Sequence, residues 1–193
     1  MIKIGLTGNL GSGKSTVAKV FETFGFKILD ADDMAKQLYH IPAIRQQVET
    51  LLGVSILNDD DSVNYKTIAD YYFNKPGIYA ALNKILYPEL QKNIEAEIAV
   101  RTSNVIVEAA MLFEIEMQHV FDYVITVSTP VEERIQRVYK RNGSSREQFM
   151  EREKLQSPAE WKETKAVFVI RNDERSSVIA QVSRILEQLS LPH

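Results

Sequence analysis

The chain has 193 residues, 45% of them hydrophobic and 25% charged, with a formal net charge of -3 at pH 7 and no cysteine. That length supports one sizeable core, or a core with a modest insertion. The acidic balance speaks against a general nucleic-acid binder, and the lack of thiols excludes disulfides and thiolate metal sites. No apolar run approaches the length of a membrane span and the start lacks signal-peptide character, so a cytoplasmic protein without a membrane partner is expected.

The first predicted element is a short buried strand, Ile2-Lys3-Ile4-Gly5-Leu6-Thr7. It runs into Gly8-Asn9-Leu10-Gly11-Ser12-Gly13-Lys14-Ser15, which satisfies the pattern G-x-x-x-x-G-K-[ST] at every fixed position. Val17, Val20, Phe21 and Phe24 then recur on one helical face, and Gly25 ends the helix. Between a strand and a helix, such a loop is a phosphate cradle. Its glycines let successive N–H groups turn inward, and the helix N-terminus adds partial positive charge. The spacing directs Lys14 to the β- and γ-phosphates and the Ser15 hydroxyl to Mg²⁺, with Thr16 as a further phosphate contact. A bound nucleotide triphosphate is therefore the expected ligand.

Phe26-Lys27-Ile28-Leu29 reads as a second strand ending in Asp30-Ala31-Asp32-Asp33, which sets acids at the carboxyl edge where open α/β sheets bind ligands. Met34, Ala35 and Leu38 suggest a short helix stopped before Pro42, and Ile44, Val48, Leu51 and Leu52 a second one ending at Gly53. The run Asn58-Asp59-Asp60-Asp61-Ser62 reads as a solvated loop rather than a metal site. Helices are predicted over 66–73, 77–86 and 89–100, broken at Asn74-Lys75-Pro76 and Tyr87-Pro88. This stretch is too large for a simple crossover and reads as a substrate-binding insertion.

A third strand, 104–107, leads into Glu108, which can act near Mg²⁺ through water or serve as a structural hydrogen-bonding group. A fourth strand covers 123–127. Helix starts are predicted at Thr129-Pro130-Val131-Glu132, at Ser144 with Glu147, and at Ser157-Pro158-Ala159-Glu160. The first two open helices over 130–141 and 145–156, joined at Asn142-Gly143. Between 134 and 154 stand seven basic residues, Arg134, Arg137, Lys140, Arg141, Arg146, Arg152 and Lys154, against Glu147, Glu151 and Glu153, a local +4. Arginines suit a multi-oxygen phosphoryl target. A strand over 166–170 and a closing helix with Val178, Ile179, Val182, Ile185, Leu186 and Leu189 on one face complete the chain. His40, His119 and His193 stand in no metal-ligand spacing, and Trp161 reads as helix packing.

Five strands alternating with helices predict an α/β doubly wound parallel sheet of the P-loop NTPase type, with a helical insertion and a helical lid. The chain is read as a single P-loop kinase domain: core about 1–33, 102–133 and 164–193, insertion about 34–101, lid about 134–163. It lacks an N-K-x-D guanine-reading motif and carries the acid cluster, insertion and arginine-rich helices of a small-molecule kinase rather than a switch NTPase.

The residues from Ile4 to Ala18, followed by Asp30-Ala31-Asp32, resemble the opening of dephospho-CoA kinases. Further matches are Leu112-Phe113-Glu114, the helix with Arg134, Arg137 and Arg141, Arg152 with Gln156, and 166–172. The resemblance implies transfer of the γ-phosphate of ATP, with Mg²⁺, to the ribose 3′-hydroxyl of dephospho-CoA. It implies Asp32 as general base, Lys14 and Arg141 as catalytic cations, Asn172 at the adenine pocket, and an insertion that holds the acceptor. Asn9 stands where the family commonly has a second glycine, a position suited to the tolerance of asparagine for positive φ. Tyr87-Pro88 stands where His-Pro is common, and Ala110 where proline is. Another nucleoside monophosphate or small-metabolite kinase is the alternative within the class, and a regulatory P-loop NTPase the alternative outside it. A monomer is the default oligomeric state.

Overall fold

The computed structural model describes residues 1–75 and 77–189, so Pro76 in the expected 74–76 break and His193 lie outside it. Five strands form the sheet: β1 (Lys3–Thr7), β2 (Lys27–Asp30), β3 (Val105–Glu108), β4 (Tyr123–Ser128) and β5 (Phe168–Arg171). All pair in parallel, in the order β2-β3-β1-β4-β5. β1 is central, and the chain passes from β3 on one side of it to β4 on the other. The loop leaving β1 thus opens at the crevice where the strand order reverses, where such sheets bind ligands.

Helix α1 (Lys14–Thr23) and the closing helix α9 (Val178–Leu189) cover the sheet. Val17, Ala18 and Phe21 of α1 and Val182 and Ile185 of α9 join Ile4, Leu6, Ile106, Ile125, Val127 and Ile170 in one buried cluster. Gly5 is small for a packing reason: a Cβ there would lie 2.5 Å from Leu112 Cδ1 and 2.7 Å from the Phe121 ring. Two residues read onto apolar faces, Phe24 and Ile179, are exposed: Phe24 lies past the end of α1 as its C-cap, and Ile179 sits at the margin of the α9 stripe.

The chain divides into two compact units, one made of Met1–Asp30 with the chain from Val100 onward, the other of Ala31–Ala99. The second unit is helical: α2 (Ala31–Leu38), α3 (Pro42–Leu52), α4 (Tyr65–Asn74) and α5 (Ile78–Ala99). The acidic run closes a tight turn, its ends joined by an isolated antiparallel bridge between Leu57 and Val63, with Asp60 accepting from the Ser62 N–H and hydroxyl. α5 packs against each of the other three helices.

The expected break at Tyr87-Pro88 does not occur. α5 runs unbroken through Pro88, and its buried apolar residues Leu82, Leu86, Leu90, Ile94 and Ile98 keep one four-residue spacing across it. Proline inside a helix costs about 3 kcal/mol, whereas burying each of these side chains gains about 1.5–3 kcal/mol, so packing decides.

In the sheet unit, α6 (Val131–Asn142), α7 (Arg146–Glu153) and α8 (Ala159–Lys165) lie between β4 and β5 in the chain. Two helix starts differ from expectation. The capping box of α7 uses Ser145 and Gln148, one residue beyond the predicted pair, and α6 and α8 have no side-chain cap. Thr129 commits its hydroxyl to the phosphate loop instead.

Candidate active site

The loop from Gly8 to Gly13 joins the end of β1 to α1. Gly13 occupies the left-handed region at φ 86, and a Cβ there would collide with Asn172 Nδ2, so both conformation and space demand glycine. Asn9 does not take a positive φ; among the described non-glycine residues only Asp61 and Glu116 do. Its place in the loop is explained by its side chain, buried at 2% exposure, whose Nδ2 donates to Glu153 Oε1 at 3.0 Å and the Ser157 carbonyl at 3.1 Å.

The loop's outer surface is held by donors aimed at its carbonyls. Three groups converge on the Ser12 carbonyl: Asn172 Nδ2 at 2.8 Å, Thr129 Oγ1 at 3.0 Å and an Arg137 guanidinium nitrogen at 3.4 Å. Thr129 Oγ1 also lies 2.9 Å from the Asn172 carbonyl, to which Arg137 donates at 2.8 Å. In a trans peptide the C=O and N–H point in opposite directions. Pulling the Ser12 carbonyl outward therefore turns the Gly13 N–H toward the concave side, as an anion site requires. Lys14 Nζ reaches back to the Gly8 carbonyl at 3.1 Å and spans the loop.

Ser15 Oγ donates to Glu108 Oε1 at 2.8 Å. Glu108 is the last residue of β3, in register with Leu6 of β1 on one side and Asp30 of β2 on the other. Two acids thus end adjacent strands at the same edge of the sheet, Glu108 being the one bonded to the loop's serine. The serine hydroxyl and glutamate carboxylate are hard oxygen donors suited to Mg²⁺. Among the described residues no cluster of three or more His, Cys, Asp or Glu side chains could hold a metal ion.

Asp32 is not on the strand. β2 ends at Asp30, and Asp32 is an exposed residue in the first turn of α2, where a negative charge complements the helix dipole. Thr16 is exposed on α1, and Arg141 is exposed in the last turn of α6. Arg137 is the arginine of α6 whose side chain reaches the carbonyls of Ser12 and Asn172. Trp161 packs edge-on against Phe113, with ring centroids 5.6 Å apart, and His40 and His119 bond to Tyr65 and the Glu116 carbonyl.

A match to the family model for dephospho-CoA kinase covers residues 2–177. The chain belongs to the dephospho-CoA kinase family. It is 36% identical to the dephospho-CoA kinase of Aquifex aeolicus, with 98% of each chain covered, and 34% identical to that of Carboxydothermus hydrogenoformans, covering 96% of this chain and 93% of the relative. A crystal structure of a protein from Thermus thermophilus superimposes with a TM-score of 0.83 at 28% identity, over 99% of this chain and 98% of that one. The family match ends just before α9, a helix whose contribution is to the core.

Beside the motifs of this family lies a buried charge system that the motifs do not reveal. Lys162 is fully buried; its Nζ donates to the Ala110 carbonyl at 2.7 Å and pairs with Glu114 Oε1 at 3.0 Å. Burial pushes the Lys162 pKa down, opposed by Glu114. Glu114 Oε1 also accepts the Ser157 N–H at 2.7 Å, so this pair ties the loop after β3 to the start of α8. Thr129, Glu153 and Lys162 are functional-site neighbours that no motif singles out, whereas Gln156 is one of the family matches. Only the uncapped Thr129 before Pro130 and a lysine one residue after Trp161 stand as local signals.

Proposed function

We propose that this protein transfers the γ-phosphoryl group of ATP to the ribose 3′-hydroxyl of dephospho-CoA, giving CoA and ADP. The observation that carries the reading is the phosphate loop spanned by Lys14 and flanked by the Ser15–Glu108 pair, in a chain of this family.

In this reading the loop N–H groups and Lys14 neutralise the β- and γ-phosphates. Ser15, with Glu108 beside it, would hold Mg²⁺, which would supply charge neutralisation to the phosphates. Asp32, two residues beyond the carboxyl edge of the sheet, accepts the proton of the acceptor hydroxyl as it attacks phosphorus in line, and the P–O bond to ADP breaks. Arg141, exposed on α6, serves as the mobile cation over the transferring group. Asn172 contributes at the adenine end while its amide stays committed to the Ser12 carbonyl. The helical unit 31–99 holds the acceptor's nucleotide and pantetheine, and 134–163 acts as the lid. We assign the protein to the cytoplasm, as a monomer. Among the described residues no helix is long and apolar enough to cross a membrane.

The deciding experiment measures ADP release from ATP and Mg²⁺ with dephospho-CoA, AMP, adenosine or no acceptor, with CoA detected by mass. Release that depends on dephospho-CoA and yields CoA supports the reading. Release with another acceptor reassigns the helical unit, and release with none replaces the kinase by an NTPase.

A further inference from the structure

Leu10, a variable position of the phosphate-loop pattern, is held at all three of its groups by α6, α7 and the segment that follows α7. Its N–H donates to Gln156 Oε1 at 2.9 Å, its carbonyl accepts from an Arg134 guanidinium nitrogen at 3.1 Å, and its side chain packs on Ile135, Val138 and Phe149.

The arginine that grips the carbonyl is itself immobilised. Arg134 is 4% exposed, makes two 2.7 Å bonds to the two oxygens of Glu153, donates through Nε to the Thr129 carbonyl at 3.2 Å, and lies 5.4 Å from the Phe149 ring centroid. Glu153 is in turn fixed by the Asn9 amide. A buried cation with a bidentate partner and a neighbouring amide donor keeps one geometry, because any other leaves a charge without a partner in a low-dielectric setting.

We propose that Arg134, Glu153, Asn9 and Gln156 form a positioning device for the nucleotide: by fixing Leu10 at both its N–H and its carbonyl they turn the Gly11 N–H into the phosphate cradle. The trans peptide linking Leu10 to Gly11 sets that N–H opposite the held carbonyl. α6 also approaches Gly11 closely, since a Cβ on Gly11 would lie 2.8 Å from the Arg134 carbonyl. Asn9, where a second glycine is common, thus contributes through its side chain, while its carbonyl accepts the Ser12 N–H within the loop. The inference rests on the reading of this loop as the ATP site.

The test uses the full chain. ATP affinity is measured by calorimetry for the wild type, Arg134→Lys, Glu153→Gln and Gln156→Ala, with melting temperature and the KM values for ATP and acceptor in parallel. Arg134→Lys keeps the buried charge but not the fork, and Gln156→Ala alters a half-buried residue, so at least one variant tests the device without loss of the fold. The expected result is ATP affinity weakened about tenfold, as for loss of one net hydrogen bond, with the rise falling on KM for ATP and not on KM for the acceptor. Variants that melt earlier yet bind ATP as the wild type does would overturn the device and leave a purely structural cluster. A wild type that binds no ATP would overturn the loop reading itself.

Discussion

Asp32 and Tyr39 are near neighbours in the chain with opposite kinds of chemistry. Asp32 is exposed and proposed to take the acceptor's proton. Asp32→Ala should retain ATP binding in calorimetry while turnover falls by at least about a hundredfold; undiminished turnover would remove Asp32 from the mechanism. Tyr39 is 7% exposed, and burial, helped by the nearby Tyr65, pushes its pKa up to about 12 from 10.0. Below about pH 10 the phenol is protonated in both folded and unfolded chains and contributes no pH dependence. Between about pH 10 and 12 the unfolded chain loses the proton first, so stability falls as pH rises. Denaturant midpoints across that window should decline less steeply in Tyr39→Phe. At this scale the sequence spells out the phosphate loop, because its residue types act through backbone geometry within eight positions. Asn9 is legible only as an exception: its partners Glu153 and Ser157 lie more than a hundred residues away, and no local rule links them.

Among the elements, α5 shows how tertiary packing overrides a local stop signal. The stripe Leu82, Leu86, Leu90, Ile94 and Ile98 is visible in the sequence, yet Pro88 and the preceding tyrosine argue for two helices. Ile94→Ala should cost about 2–5 kcal/mol in equilibrium denaturation, as for a fully buried aliphatic chain. Pro88→Ala, which restores a helical N–H at an exposed position, should cost nothing or stabilise. A larger loss at 88 than at 94 would show that the proline, and not the stripe, organises the helix. Helix starts follow the same logic with smaller energies. The start expected at Ser144 with Glu147 falls instead at Ser145, whose side chain and Gln148 form the observed capping box.

At the scale of the whole molecule, nucleotide binding and folding stability are linked, because only the folded loop presents its N–H groups together. A non-hydrolysable ATP analogue with Mg²⁺, at about a hundredfold above its dissociation constant, should stabilise the protein by about 2.7 kcal/mol. That corresponds to a rise of several degrees in melting temperature for a chain of this size. Lys14→Ala should abolish most of the rise, and an equal rise in that variant would separate the stabilisation from the phosphate loop. The strand-helix alternation, the parallel sheet, the phosphate loop and the acids after β2 were determined by the sequence itself, since hydrophobic period, glycine placement and strand-loop-helix order are short-range properties. The order β2-β3-β1-β4-β5, the meeting of Ser15 with Glu108, the outward hold on the loop carbonyls and the burial of Lys162 were decided only by the tertiary structure. Each joins groups distant in the chain whose polar atoms, once removed from water, must find partners in one another.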